Sequence, residues 1–229
     1  MNKNVENTLQ QINNTLDILI AQGIVKYIQP CRIKENKKEG ITSITWNNHV
    51  GGRAVSGKAF NTPGQYFSIL ASNAYQAIMI DYSVVRVSFT FSKEKLVAQN
   101  LLWWPCPVLM DDEMENEFGL FESVKVMLED IESEKYLTMR TPIRIDFDSS
   151  NNSYFHPRAH THIQHHDSRI NNIAPICFNC FMKFILETHY PYLNVDYRGW
   201  NYLEYQYDDK HTNKKYNSNV CICLLYTSP

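Results

Sequence analysis

Five of the eight histidines fall in one short stretch, His156, His160, His162, His165 and His166, with Asp167 and Arg169 close behind. Imidazole titrates near neutral pH and is the commonest protein ligand for zinc and its neighbours. A cluster this dense offers acid–base chemistry or metal binding. Established spacings do not fit it. HxHxH would need its third histidine where Gln164 stands, HxHxDH would need Asp there, and HExxH is absent. The glycines and downstream Glu of a cupin pattern are missing as well.

Strand geometry is more informative than motif spacing. Side chains alternate between faces along a strand. Arg158, His160, His162 and Gln164 therefore share one face, and Ala159, Thr161 and Ile163 the other. The preceding run follows the same grammar, with Ile143, Ile145 and Phe147 apolar and Arg144, Asp146 and Asp148 polar. A hairpin centred near Ser153 would set Asp146 opposite His160, Arg144 opposite His162 and Asp148 opposite Arg158. Opposed residues have Cβ atoms about 5 Å apart.

This polar patch admits three readings. His160, His162, Asp146 and Asp148 are a ligand set suited to a divalent Zn, Mn or Fe ion. Without a metal, two histidines could pass a proton to and from a phosphodiester while Arg144 or Arg169 stabilises phosphate charge. Or the residues form ordinary cross-strand pairs. His156, before a proline, reads as a loop residue, and His165 as a core-side packing residue. His166 and Asp167 either extend the site or end the strand.

Other motifs carry less. Gly52 to Ala59 fits GxxxxGK, but Ala59 cannot hold magnesium as the Ser or Thr of a phosphate loop does, and Asn61 and Pro63 interrupt the helix required. The match reads as chance, with Arg53 and Lys58 in a basic loop. Cys177 and Cys180 form one CxxC, two ligands where structural zinc needs four. Both fall in an apolar run and read as packed core thiols. Cys223–Pro229 reads as translated sequencing adapter, so the domain is expected over 1–222 with the natural C-terminus lying beyond. The remaining odd cysteine count and polar N-terminus point to reduced thiols and a cytoplasmic location.

The elements that must position the patch follow from periodicity. Residues 5–25 show apolar spacing of a helix, 41–46 read as a strand, and Pro63 opens a second helix. Two extended runs, 78–91 and 96–104, read as a first hairpin. An acidic stretch, 110–117, reads as solvated surface and 121–131 as a short amphipathic helix. Residues 142–148 and 158–166 form the second hairpin, and 175–189 a long apolar helix. The segment 192–207 is dense in Tyr and Trp and reads as either an interface or a core helix. The chain has 229 residues, 44% of them apolar and 13% aromatic, which excludes a mainly disordered polymer. Together these predict a single α+β domain, an antiparallel sheet of two hairpins packed with amphipathic helices. No apolar run reaches the roughly 20 residues of a membrane helix. A net charge of −2 excludes nucleic-acid binding by bulk charge and leaves room for a local basic groove.

Several of these residues fall in a recognisable order. Arg144-x-Asp146-x-Asp148, His156-Pro157-x-x-His160-x-His162, Arg169-Ile170, Pro175, Phe181-x-x-Phe184 and Tyr190 resemble an uncharacterised bacterial family, domain of unknown function 2290. Asp81 to Phe91, Leu101 and Pro105-Cys106-Pro107 are similar to its first hairpin. The resemblance spans about Val5 to Pro191. It implies a bacterial protein of defence-associated or mobile gene neighbourhoods, and it transfers no catalytic residues. A fainter likeness is to small toxin nucleases with an Arg/Asp strand before a His-rich strand.

The leading expectation is a phosphodiesterase, with RNA as substrate. Its acid–base groups or ligands would be His160 and His162, with Asp146 as orienter or ligand and Arg144 or Arg169 on phosphate. The competing expectation is a non-catalytic module, an accessory or antitoxin-like partner of a co-encoded effector. It would bind through Tyr192, Tyr197, Trp200, Tyr202, Tyr205 and Tyr207, with the histidines structural.

Overall fold

Val85, Val87, Phe89 and Phe91 alternate with smaller or polar residues, and all four are fully buried on one face of the strand at the centre of the sheet. The computed structural model describes residues 3–46, 62–110, 112–130, 135–151, 153, 156–165, 167–208 and 221–222. The helices among them are α1 (Lys3–Ala21), α2 (Pro63–Ala71), α3 (Asp112–Glu129) and α4 (Phe178–His189). The strands begin with β1 (Val25–Ile28), β2 (Arg32–Asn36), β3 (Ile41–Thr45), β4 (Ala77–Met79), β5 (Val84–Ser92) and β6 (Lys95–Trp104). They continue with β7 (Ile143–Asp148), β8 (Ala159–Ile163), β9 (Ile170–Asn172) and β10 (Cys221–Ile222).

The strands join in the order β1-β4-β5-β6-β7-β8-β9-β10, with the β2–β3 hairpin attached to β5 beside β4. Every pairing is antiparallel except β9 with β10. The α+β architecture and both expected hairpins are present. Among the described residues, no helix is long and apolar enough to cross a membrane.

The two faces of the sheet are covered differently. On the first face, Val5, Ile12, Leu16 and Leu19 of α1 and Phe178, Phe181, Met182 and Ile185 of α4 join the apolar sets of β5, β6 and β7 in one core. Spacing of three and four residues gives each helix the single apolar stripe this contact needs. On the second face, Tyr66, Ile69 and Leu70 of α2 and Val124 and Met127 of α3 form a smaller cluster with Trp46, Ile78, Val84, Leu102 and Trp104. The rest of that face is polar, and the histidine hairpin belongs to it.

Three elements depart from the sequence reading. The first helix ends at Ala21 because Gly23 takes a left-handed φ of 70°, where the Gly23 amide closes onto the Ile20 carbonyl. Val25 then enters a strand. The acidic stretch is helical and leads α3, which is broken at Gly119 (φ 75°) before the amphipathic part. The aromatic tail forms no helix. Leu193, Val195, Tyr197, Trp200, Tyr205 and Tyr207 lie on irregular, turn-containing backbone and pack against the first core.

The acidic turn of α3 also has a definite partner. Lys26 Nζ lies 2.7 Å from Glu115 and 2.8 Å from Asp112, and Tyr82 donates to the same two carboxylates. Burial acts to raise the Glu115 carboxyl, but the bonds from Lys26, Tyr27 and Tyr82 outweigh it and hold the group below its ordinary value. Lys26 is raised, its carboxylate bonds outweighing burial. A depressed carboxyl contributes stability above its unfolded value, near 4.5, and loses it as pH falls through the folded value. A raised lysine contributes below 10.5 and loses it above. Lys26→Met should therefore cost roughly 1–2 kcal/mol at pH 7, read as a lower urea midpoint. The gap to wild type should close at pH 3, and an equal gap at both pH values would exclude this origin.

Candidate functional site

The second hairpin pairs in the register its alternation requires. Arg144 faces His162 and Asp146 faces His160, with Ile145 opposite Thr161 on the other side. The Asp148 amide donates to the Arg158 carbonyl at 2.9 Å, continuing the ladder. On the opposite edge of β7, β6 sets Asn100 against Asp146 and Leu102 against Arg144. Three strands thus bring Asn100, Asp146 and His160 into one row. They form part of the wall of a cavity of about 1100 Å³, with Arg144, Arg169, His156, His162, Trp46 and Asp167 also along it.

Asp146, His160 and His162 converge, each offering one donor atom within 4.8 Å of the others. Among the described residues they are the one group of three His, Cys, Asp or Glu side chains so placed. Asp146 Oδ2 lies 3.2 Å from His162 Nε2 and 3.8 Å from His160 Nε2. Arg144 Nε donates to the same oxygen at 2.9 Å, and Asn100 Nδ2 donates to Oδ1 at 2.6 Å. His160 Nδ1 is 2.7 Å from the Pro157 carbonyl. A carbonyl only accepts, so Nδ1 carries the proton and the neutral ring turns its Nε2 lone pair toward Asp146.

Both imidazoles are almost fully enclosed. Burial is the main cause that pushes His160 down to about 4, with the Asp146 charge opposing it. Burial likewise lowers His162, against the bond to Asp146. Burial acts to raise Asp146, but the His162 contact and the Arg144 charge hold it below the usual carboxylate range. Neutral imidazoles beside an ionised carboxylate, with His160 fixed by the Pro157 carbonyl and Asp146 by Arg144 and Asn100, are the state in which such groups bind a cation.

The other sequence candidates are distributed unevenly. Asp148 lines the cavity but stands apart from the trio. Its oxygens accept from the Ser150 amide and hydroxyl and from Asn151, so it closes the turn after β7. Arg158 donates to the Asp208 carbonyl in the tail. Arg169 reaches the cavity with its Nη1 3.7 Å from Asp167 Oδ1. His165 is exposed, which corrects its expected packing role. β8 ends at Ile163 and Gln164 takes a φ of 65°, so alternation stops before His165. His166, Arg53, Lys58 and Cys223–Pro229 lie outside the described residues.

His156, a loop residue by sequence, also lines the site. Its ring packs edge-on against His160 at 4.8 Å, and His160 packs likewise on His162 at 4.7 Å. Asn100 and Arg86 carry no sequence signal, because only cross-strand pairing shows that β6 runs beside this hairpin and β5 beyond it. The CxxC opens α4, with Cys177 at the N-cap and the two sulfurs 3.5 Å apart. Cys177 is fully buried, as a packed thiol would be, whereas Cys180 is only half-buried. The bond from Cys180 lowers its thiol to about 6.

A family model described as an uncharacterized conserved protein, DUF2290, matches residues 24–224. The chain belongs to the DUF2290 family. No curated protein and no solved structure matches it. Within the DUF2290 region fall all three converging residues, together with Asn100, Arg144 and Arg169. The family name carries no activity, so the chemistry of this DUF2290 protein has to be read from the cavity itself.

Proposed function

We propose that this DUF2290 protein is a metal-dependent phosphodiesterase, with RNA the first substrate to assay. One observation carries the reading. His160 Nε2, His162 Nε2 and an Asp146 oxygen point at one another with His160 locked in the ligating tautomer. Two imidazoles and one carboxylate suit a divalent Zn, Mn or Fe ion and leave coordination positions for water and substrate. Such an ion would polarise a phosphoryl oxygen and activate a bound water near neutral pH.

The protein's own groups would supply the rest. Asn100 and Arg144 hold the Asp146 carboxylate in place from two directions. Arg144 and Arg169 lie along the cavity wall, where a guanidinium can meet phosphate oxygens through two donors at once. The near-balanced net charge suits a short bound segment held by local contacts and disfavours bulk attraction to a duplex.

Bound-ion content, measured by mass spectrometry beside a His160→Ala/His162→Ala protein, tests the reading. About one ion per chain is expected in the wild type and none in the double variant. Hydrolysis of a single-stranded RNA oligonucleotide should fall at least a hundredfold with the ion. No ion in either protein, with the variant merely less stable, would return the histidines to a structural role.

A further inference from the structure

The row of residues that bounds the site toward α2 and α3 reads Arg86, Leu102, Arg144, His162 across β5, β6, β7 and β8. Arg86 is 1% exposed, and its Nε and Nη1 find no hydrogen-bond partner among the described residues. Its guanidinium carbon sits 4.5 Å from the ring centre of Trp46, which lines the cavity together with Arg144 and His162. Burial, and then the Arg144 charge, push its pKa down to about 10, so it remains a cation at neutral pH. A buried guanidinium with unpaired donors beside a second arginine is costly unless an anion joins it. Arginine presents parallel N–H donors in a fork that fits the oxygens of phosphate.

We propose that Arg86 and Arg144 form an oxyanion seat beside the Asp146–His160–His162 trio, and that it takes a phosphate group of the substrate. The assignment of the oxyanion as phosphate rests on the phosphodiesterase reading. The seat itself rests on the unpaired donors. It sets an anion position on β5, behind Trp46 of the cavity wall and across β6 from the ion position on the hairpin. A phosphodiester held at the seat would place a neighbouring phosphorus toward the trio.

Thermal melting in inorganic phosphate tests this. Wild type should gain several degrees in millimolar phosphate, saturably, by preferential binding to the folded state. Arg86→Met should gain less than one degree. Without phosphate it should melt no lower than wild type, because an uncompensated charge has been removed, and its bound-ion content should be unchanged. Arg86→Lys keeps the charge and loses the fork, so its phosphate affinity should drop about tenfold. A full phosphate shift in Arg86→Met, or none in wild type, overturns the seat even where the ion is bound. An Arg86-dependent shift in a protein that binds no ion and hydrolyses no RNA supports the seat and removes the phosphodiesterase. A nucleoside monophosphate and a single-stranded RNA oligonucleotide separate the sources. Equal shifts identify a free nucleotide, and a larger shift with the oligonucleotide identifies a polymer.

Discussion

Asp146→Ala should lose roughly 3–5 kcal/mol of stability and all bound ion. The carboxylate is the hub of the second face: Arg144, Asn100, His162 and His160 all turn to it within 3.8 Å. The Arg144 side chain is 6% exposed. Removing one member of an enclosed charged pair leaves the other charge without its compensation, which costs more than the net worth of the pair. Adding Arg144→Met to Asp146→Ala should therefore restore part of the loss, although activity stays absent. Urea denaturation of the two single variants and the double variant gives the coupling directly. Additive losses would show that the four groups do not act as one unit. A further sign is that added zinc should raise the wild-type melting temperature and leave Asp146→Ala unmoved.

Tyr205→Ala should cost roughly 2–4 kcal/mol. The ring packs against Phe89 at 5.7 Å and Phe91 at 5.8 Å, and its hydroxyl meets Thr8 at 3.2 Å. The tail is further tied down where Gln11 and Asn179 both donate to the Asn201 carbonyl. Burial, eased by the bond from Thr8, holds the phenol well above its ordinary value, as expected for a ring within the core. If the aromatic tail were instead a docking surface, Tyr205→Ala would leave the urea midpoint untouched and weaken capture of a partner. The two readings predict opposite results from the same variant.

Much of the site was legible before the fold was known, and the reason is local. Alternation in Ile143–Asp148 and Ala159–Ile163 determines which side chains share a face, and a hairpin between neighbouring strands leaves few registers that keep both apolar sets on one side. Asp146 opposite His160 and Arg144 opposite His162 followed from that constraint together with a turn centred near Ser153, since a slip of two residues would have kept the same faces. Sequence by itself also determined the two hairpins, the apolar stripe of α4 and the family, through residues whose order and spacing are specific.

Tertiary structure decided the rest. Asn100 and Arg86 lie on β6 and β5, at least 44 residues from Arg144 in the chain, and only sheet order brings them to the same face as it. His165 follows a backbone reversal at Gln164 that periodicity does not reveal. Asp148 and Asp146 are alike in the pattern, but a turn captured one while the other turned inward. The tail had the composition of an interface or a core, and the choice depended on the open flank of the first core beside α1 and β5. Short-range patterns fix which face a residue takes. What stands across from it is set by contacts between distant segments, whose energies no local stretch contains.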